Sequence, residues 1–77
     1  LDLSPTEFRL VEALARRMGR VVPREELLSK IWSFYGGDTR TVDVHISRLR
    51  KKLDDGKRPA LAVSSLRGRG YRLMWEE

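Results

Sequence analysis

Hydrophobic residues between positions 40 and 53 recur with helical spacing. Val42, Ile46, Leu49 and Leu53 follow one another at i, i+4, i+7 and i+11. At about 100° per residue they fall within roughly 60° of one another, which predicts a helix with one narrow apolar stripe. The opposite side of that helix and its flank carry mostly cationic and hydroxyl side chains: Arg40, Thr41, Val44, His45, Ser47, Arg48, Lys51 and Lys52.

A helix of this kind suits the DNA major groove. Arg and Lys side chains can contact phosphates and guanine edges there, and Val44 can contact a thymine methyl group. Solvated basic faces are also common on surface helices, so this segment alone leaves both interpretations open.

Upstream, the pattern predicts another helix. Leu1-Asp2-Leu3 fits the end of a strand, and Ser4, Pro5 and Glu7 then form a helix start with a capping box. The apolar face predicted for this first helix consists of Phe8, Leu10, Val11, Leu14, Ala15 and Met18. Arg16 and Arg17 are expected in its last turn, with Gly19 at position C′.

A second helix is predicted from near Pro23, after a short extended link at Val21-Val22. Glu25 and Glu26 occupy its first turn, where the helix dipole favours acidic groups. Its buried side is expected to contain Leu27, Leu28, Ile31 and Trp32. Trp32 continues this stripe and is therefore expected in the core rather than on a base-stacking surface.

The third helix and a hairpin complete the pattern. Asp38 or Thr39 can cap the third helix, which is expected to run to about Asp54 before Gly56. Residues 61–66 and 71–75 then predict two strands joined by Arg67-Gly68-Arg69-Gly70, whose glycines permit positive φ. Alternation along the second strand predicts that Tyr71, Leu73 and Trp75 pack on the helices.

Composition narrows the class of protein. Seventy-seven residues with 40% hydrophobic content predict one small folded domain, here residues 1–77. The chain has no cysteine and one histidine, so neither a disulfide framework nor a metal site is expected. No apolar run approaches membrane-spanning length and no signal-peptide pattern is present, so a cytoplasmic location without a membrane partner is expected.

The net charge of +5 is concentrated rather than scattered. Residues 40–72 contain ten Lys or Arg and three Asp, giving +7, whereas the remainder has six Lys or Arg and eight Asp or Glu, giving −2. This asymmetry is typical of a nucleic-acid-binding face.

Three helices followed by a C-terminal β-hairpin predict an α+β fold, the winged helix-turn-helix. The third helix would be the recognition element, and the hairpin would be the wing. Arg67 and Arg69 at its tip could enter a minor groove or contact phosphates, although a solubilising loop is the alternative for the tip alone. The two basic features together favour a single binding surface.

Four stretches of the chain resemble the DNA-binding effector domain of OmpR/PhoB-type response regulators. They are LSPTEF at 3–8, REELLSKIW at 24–32, RTVDVHISRLRKKL at 40–53 and LRGRGYRL at 66–73. The resemblance implies that Arg24, Arg40, Thr41, Val44, His45, Ser47, Arg48 and Arg50 lie at or near DNA. It also implies that Arg67 is directed to the minor groove, while Lys51 and Arg69 are added to the predicted site by their positions.

The resemblance further implies partners for the domain. These are promoter DNA bound as head-to-tail dimers on direct repeats, and a receiver domain of the same protein, which is expected to be absent from this chain together with the family's N-terminal sheet. RNA polymerase is a further implied partner, contacted through the loop at Ser33, Phe34, Tyr35, Gly36, Gly37 and Asp38. No cofactor is implied.

Other interpretations remain open at this stage. A winged-helix protein-interaction module, or the DNA-binding part of a one-component regulator, would share these features. An RNA-binding module is disfavoured because Phe8, Trp32, Tyr71 and Trp75 mostly fall in buried positions. His45 and Ser47 do not face each other on a helix, so no enzyme is predicted. Asp43 is expected to orient a neighbouring Arg through a helical pair.

Overall fold

Three helices precede an antiparallel hairpin, in the predicted order. The structure is a computed structural model that describes residues 2–32, 38–54, 56 and 59–76. Its elements are α1 (Pro5–Ala15), α2 (Arg24–Ile31), α3 (Thr39–Leu53), β1 (Ala60–Leu66) and β2 (Gly70–Glu76). This is the architecture predicted for a winged helix-turn-helix.

The start of α1 is the predicted capping box. The Glu7 N–H donates to Ser4 Oγ at 3.1 Å, and the Ser4 N–H donates to Glu7 Oε1 at 2.8 Å. The helix ends earlier than predicted, at Ala15, so Arg16 and Gly19 do not occupy the last turn and C′. Gly19 instead turns the chain with φ +81°, and its N–H donates to the Leu73 carbonyl at 2.9 Å.

The apolar face predicted for α1 was partly wrong. Leu10 and Leu14 are fully buried, but Phe8 is 60% exposed and Met18 lies beyond the helix with 41% of its surface exposed. The buried side runs through Glu7 instead, at i, i+3 and i+7 with the two leucines. A sequence pattern based on hydrophobicity cannot include a carboxylate in a core-facing stripe, because it does not show the partner that neutralises it.

The second and third helices follow their predictions. In α2, Leu27 is buried while Leu28, Ile31 and Trp32 are half-buried against the core. In α3, the stripe of Val42, Ile46, Leu49 and Leu53 is buried throughout. Asp38 caps α3 by accepting from the Arg40 N–H at 2.9 Å.

The hairpin extends one residue beyond the predicted strands at several ends. Its register pairs Leu66 with Gly70, Val63 with Leu73, and Ala60 with Glu76. Tyr71 and Leu73 are buried as predicted, but Trp75 is 58% exposed. Trp75 stands opposite Leu61, one pair from the open end of the hairpin, so strand alternation alone overestimated its burial.

The link between α1 and α2 joins the hairpin. The Val22 N–H donates to the Tyr71 carbonyl at 2.8 Å, and the Tyr71 N–H donates to the Val22 carbonyl at 3.0 Å. The expected strand at Leu1-Asp2-Leu3 is not seen at positions 2 and 3, and Leu1 lies outside the described residues. Among the helices of the described ranges, none is long and apolar enough to cross a membrane.

Candidate nucleic-acid interface

The face of α3 opposite its buried stripe is exposed. Val44 is 50% exposed at the middle of this face. Around it, all four neighbouring positions of the predicted basic face are exposed as well: Arg40, Ser47, Arg48 and Lys51. Packing therefore uses one side of α3 and leaves the predicted recognition side open to a partner.

The tip of the hairpin lies next to the α2–α3 pair. Arg67 and Arg69 are exposed on the turn between the strands, which the positive φ of Gly68, +76°, helps to form. Arg67 lines one shallow groove together with Arg24 and Asp43. The fold thus brings three positions that are far apart in the sequence to one surface.

Arg24, Thr39, Asp43 and Tyr71 form a hydrogen-bonded group, the Asp43 cluster. Arg24 Nη2 donates to Asp43 Oδ2 at 2.6 Å and to Thr39 Oγ1 at 3.1 Å. The Tyr71 hydroxyl donates to Asp43 Oδ1 at 2.6 Å. The prediction that Asp43 pairs with an Arg of its own helix was wrong, because its partners come from α2 and β2.

Tyr71 is both packed and hydrogen-bonded. Burial, followed by the hydrogen bond to Asp43, raises the pKa of Tyr71 to about 12. The prediction that this side chain packs the wing rather than stacking on a base is confirmed by its burial. Its hydroxyl partner was missed, because the two residues are 28 positions apart.

Arg50 faces the hairpin. Its Nε donates to the Val63 carbonyl at 2.9 Å, and its guanidinium carbon lies 5.9 Å from the centre of the Tyr71 ring. Arg50 therefore links α3 to both strands, and a contact with DNA stays a prediction for this residue.

His45 is half-buried between α2 and a second groove. Its Nδ1 lies 2.9 Å from the Thr41 carbonyl oxygen, and its ring centre lies 5.0 Å from that of Trp32. Along α3, the same groove is lined by Arg48 and Lys51, and the N-terminal turn of α1 closes its other side. His45 is thus oriented by its own helix beside two of the predicted DNA-binding cations.

Arg40 and Asp38 interact at the start of α3. Arg40 donates from Nε at 3.1 Å and from Nη2 at 3.0 Å to Asp38 Oδ2. Hydrogen bonds from the Arg40 backbone and side chain lower the pKa of Asp38. The other residues of the predicted polymerase-contact loop lie outside the described residues: Ser33, Phe34, Tyr35, Gly36 and Gly37.

Lys52, predicted on the flank of the basic face, is exposed and lines the same groove as Arg48 and Lys51, and it also bonds to the start of α1. Its Nζ donates to Glu7 Oε1 at 2.7 Å and to the Asp2 carbonyl at 2.9 Å. The hydrogen bond from Lys52, followed by that from the Ser4 backbone, lowers the pKa of Glu7 to about 2. We call Asp2, Ser4, Glu7 and Lys52 the Glu7 cluster.

The sequence family is decided by comparison with known proteins. The family model described as "Transcriptional regulatory protein, C terminal" matches residues 1–73. The chain belongs to this family. Membership confirms the resemblance to OmpR/PhoB-type effector domains and the prediction of a regulatory rather than an enzymatic domain.

The relatives are longer than this chain. It is 46% identical over 74 residues to the alkaline phosphatase synthesis transcriptional regulatory protein PhoP of Bacillus subtilis. That alignment covers 95% of this chain and 31% of PhoP. The chain thus spans about a third of the length of the curated relatives it matches.

Solved structures share the fold. The DNA-binding domain of the response regulator AdeR, in complex with an intercistronic region, matches with a TM-score of 0.83 and 35% identity, covering 96% of this chain and 74% of that chain. The Klebsiella pneumoniae RstA DNA-binding domain, in complex with the RstA box, matches with a TM-score of 0.79 and 36% identity at the same coverages. The winged-helix fold is therefore confirmed.

Proposed function

We propose that this domain binds double-stranded DNA sequence-specifically, as the effector domain of a two-component transcription regulator. The exposed face of α3 enters the major groove and the hairpin tip enters the adjacent minor groove. The observation that carries this proposal is the common groove lined by Arg24, Asp43 and Arg67. This groove joins the hairpin tip to the side of α3 that carries Asp43, which supports a continuous DNA surface over both elements.

The residues of this surface divide by chemistry. Val44 and Arg48 stand on the exposed face of α3, where an aliphatic group suits a thymine methyl and a guanidinium suits guanine edges. The hydroxyls, the His45 imidazole and the remaining cations suit phosphate oxygens, which fix position rather than sequence. They are Arg24, Arg40, Thr41, His45, Ser47, Arg50 and Lys51. Arg67 and Arg69 suit a narrow minor groove.

The AdeR and RstA domains, both described in complex with DNA, support this proposal. By the same family relationship, the parent protein would carry a receiver domain, bind direct repeats as a head-to-tail dimer and work in the cytoplasm. Contact with RNA polymerase through residues 33–38 belongs to the same proposal. These properties concern the longer protein and its assembly on promoters.

The decisive experiment is selection from a random duplex pool at about 0.15 M salt, where screening limits loose electrostatic binding. A short motif repeated head to tail is expected, with affinity that falls steeply as salt rises because phosphate contacts release counterions. Recovery of no motif, with a flat salt response, would instead support a protein-interaction module.

Point variants then test the surface itself. Arg48→Ala and Arg67→Ala should each weaken binding to the selected duplex by about 1–3 kcal/mol while the domain stays folded. Arg16→Ala removes an equally positive side chain that is 76% exposed just after α1, so it is the matched control and should bind like the unaltered domain. Equal losses of affinity in all three variants would mean that the domain binds DNA only through non-specific charge attraction.

A further inference from the structure

The Asp43 side chain links α3 to the hairpin and to α2, and both of its carboxylate oxygens accept hydrogen bonds. Oδ1 accepts from the Tyr71 hydroxyl and Oδ2 accepts from Arg24. A carboxylate next to the DNA surface would otherwise repel phosphates. Its two short hydrogen bonds point to a role in holding other groups rather than in contacting a base.

We propose that Asp43, with Tyr71 and Arg50, fixes the hairpin against α3 and thereby sets the spacing between the major-groove and minor-groove contacts. This inference rests on the proposed function and deepens it. Asp43 and Tyr71 are positioning residues in this scheme, because they act on DNA through Arg67.

The hairpin is held by α3 at both strands. On β2, the Tyr71 hydroxyl bonds to Asp43, and Arg50 lies against its ring. On β1, the Val63 carbonyl accepts from Arg50 Nε. Contacts to both strands resist twisting of the hairpin about its own axis as well as movement away from the helix.

Residues next to the tip are fixed from the other side as well. A Cβ on Gly70, whose φ is +146°, would stand 2.9 Å from the Pro23 Cα, nearer than side chains tolerate. The backbone bonds between Val22 and Tyr71 lie directly beside this contact. Because only Gly68 and Arg69 separate Arg67 from Gly70, the position of the Arg67 guanidinium depends on these contacts.

A purely structural ion pair makes a different prediction from a positioning group. Loss of a structural pair would lower the stability of the domain, and its effect on affinity would add to that of any interface substitution. Loss of a positioning contact would make the affinity insensitive to Arg67, since the tip would no longer reach its groove. A positioning role therefore predicts that the effects on affinity of losing this contact and of substituting Arg67 are not additive. The effects of losing this contact and of substituting residues on the exposed face of α3 should be additive.

The test is a double-mutant cycle on the selected duplex with Tyr71→Phe and Arg67→Ala. Phenylalanine keeps the ring that packs in the core and lies near Arg50, and removes only the hydroxyl. Arg67→Ala should weaken binding roughly tenfold in the unaltered background and less than about twofold in the Tyr71→Phe background. The matched cycle of Tyr71→Phe with Arg48→Ala should be additive. Additive losses in both cycles would overturn the inference.

A measurement without DNA keeps this inference separate from the proposed function. Residual dipolar couplings of the hairpin amides, compared with those of α3, report the orientation of the hairpin in the free domain. Tyr71→Phe and Asp43→Ala each remove the hydrogen bond between the hairpin and α3. Each should change the hairpin orientation or broaden its distribution, while the couplings within α3 still fit a single helix orientation. Unchanged couplings in both variants would overturn the positioning role even if DNA binding is confirmed.

Discussion

Two carboxylates hold α3 to the rest of the domain, and they do so in different surroundings. Glu7 of α1 is 3% exposed and accepts from Lys52 near the C-terminal end of α3. Asp43 lies in the first half of α3, with 37% of its side chain exposed, and accepts from Arg24 and Tyr71. The Glu7 carboxylate is therefore buried beneath exposed partners, whereas the Asp43 carboxylate lies at the edge of the proposed DNA surface.

The difference in burial implies that Glu7 and Asp43 have different roles, one in stability and the other in geometry. Glu7 shares its face of α1 with Leu10 and Leu14, so a lost partner would leave a charge in the core. Exposed ion pairs contribute roughly 0–1 kcal/mol, so the Arg24–Asp43 pair adds little to the stability of the fold. Its value lies in geometry, as the link between α2, α3 and the hairpin.

The apolar stripe of α3 lies between the two clusters and should give the largest effect. Leu49→Ala removes a fully buried side chain and should lower the free energy of unfolding by about 2–5 kcal/mol. Val44→Ala on the exposed face is the matched control and should change it by less than about 0.5 kcal/mol. Thermal or urea unfolding followed by circular dichroism measures both, and similar values would contradict the assigned orientation of α3.

The Glu7 cluster should come next. Glu7→Gln keeps the shape of the side chain but loses its charge, which should lower the free energy of unfolding by about 1–2 kcal/mol, moderated because Lys52 remains in contact with water. Glu12→Gln removes an exposed carboxylate of the same helix, whose contact with Arg16 is long at 3.9 Å, and should change stability by less than about 0.5 kcal/mol. Equal effects would remove the distinction between buried and exposed carboxylates.

Sequence reasoning found the features of both clusters that depend on near neighbours. The Ser4–Glu7 capping box and the Asp38 cap follow from residues two or three positions apart, and the α3 stripe follows from one period. Lys52 was not predicted as the partner of Glu7, because the two residues are 45 positions apart and no local pattern predicts such a contact.

The same limit applies to the candidate site. Exposure of Val44, Arg48 and the hairpin arginines was predictable, because each lies opposite a recognisable apolar stripe or on a turn. The predicted burial of Phe8 and Trp75 was wrong, since both side chains are exposed. The argument against RNA binding that used their burial is therefore weaker, and the choice of DNA over RNA rests on the family match. Asp43 was assigned a partner on its own helix because helical spacing was the only geometry that the sequence supplied.

The pH dependence of unfolding in acid should distinguish the two clusters further. The pKa of Glu7 is lowered from its usual 4.5 to about 2, so its contribution to stability is complete above pH 4.5 and is lost as pH falls towards 2. Unfolding measured across this window should show a shallower loss of stability in Glu7→Gln than in the unaltered domain. Parallel curves would mean that Glu7 is not the group responsible.

The smallest expected effect lies at the alkaline end and belongs to the Asp43 cluster. The pKa of Tyr71 is raised from 10.0 to about 12, which means that folding favours the protonated phenol. Its contribution to stability is therefore complete below pH 10 and is lost as pH rises through 12. Ultraviolet titration of tyrosinate in a Tyr35→Phe background, where Tyr71 is the remaining tyrosine, should show this late ionisation.

Asp43→Asn sharpens that measurement, because it keeps a hydrogen-bond acceptor for the Tyr71 hydroxyl and removes the negative charge. Burial is the largest single cause of the raised pKa of Tyr71, and the hydrogen bond and charge of Asp43 follow it, so the titration should move part of the way back towards 10. A complete return would mean that the carboxylate, rather than packing beneath the hairpin, controls Tyr71. No movement would show that the hydroxyl and carboxylate are not in contact in solution, and Arg50 and the shared core would then hold the hairpin to α3 without Asp43.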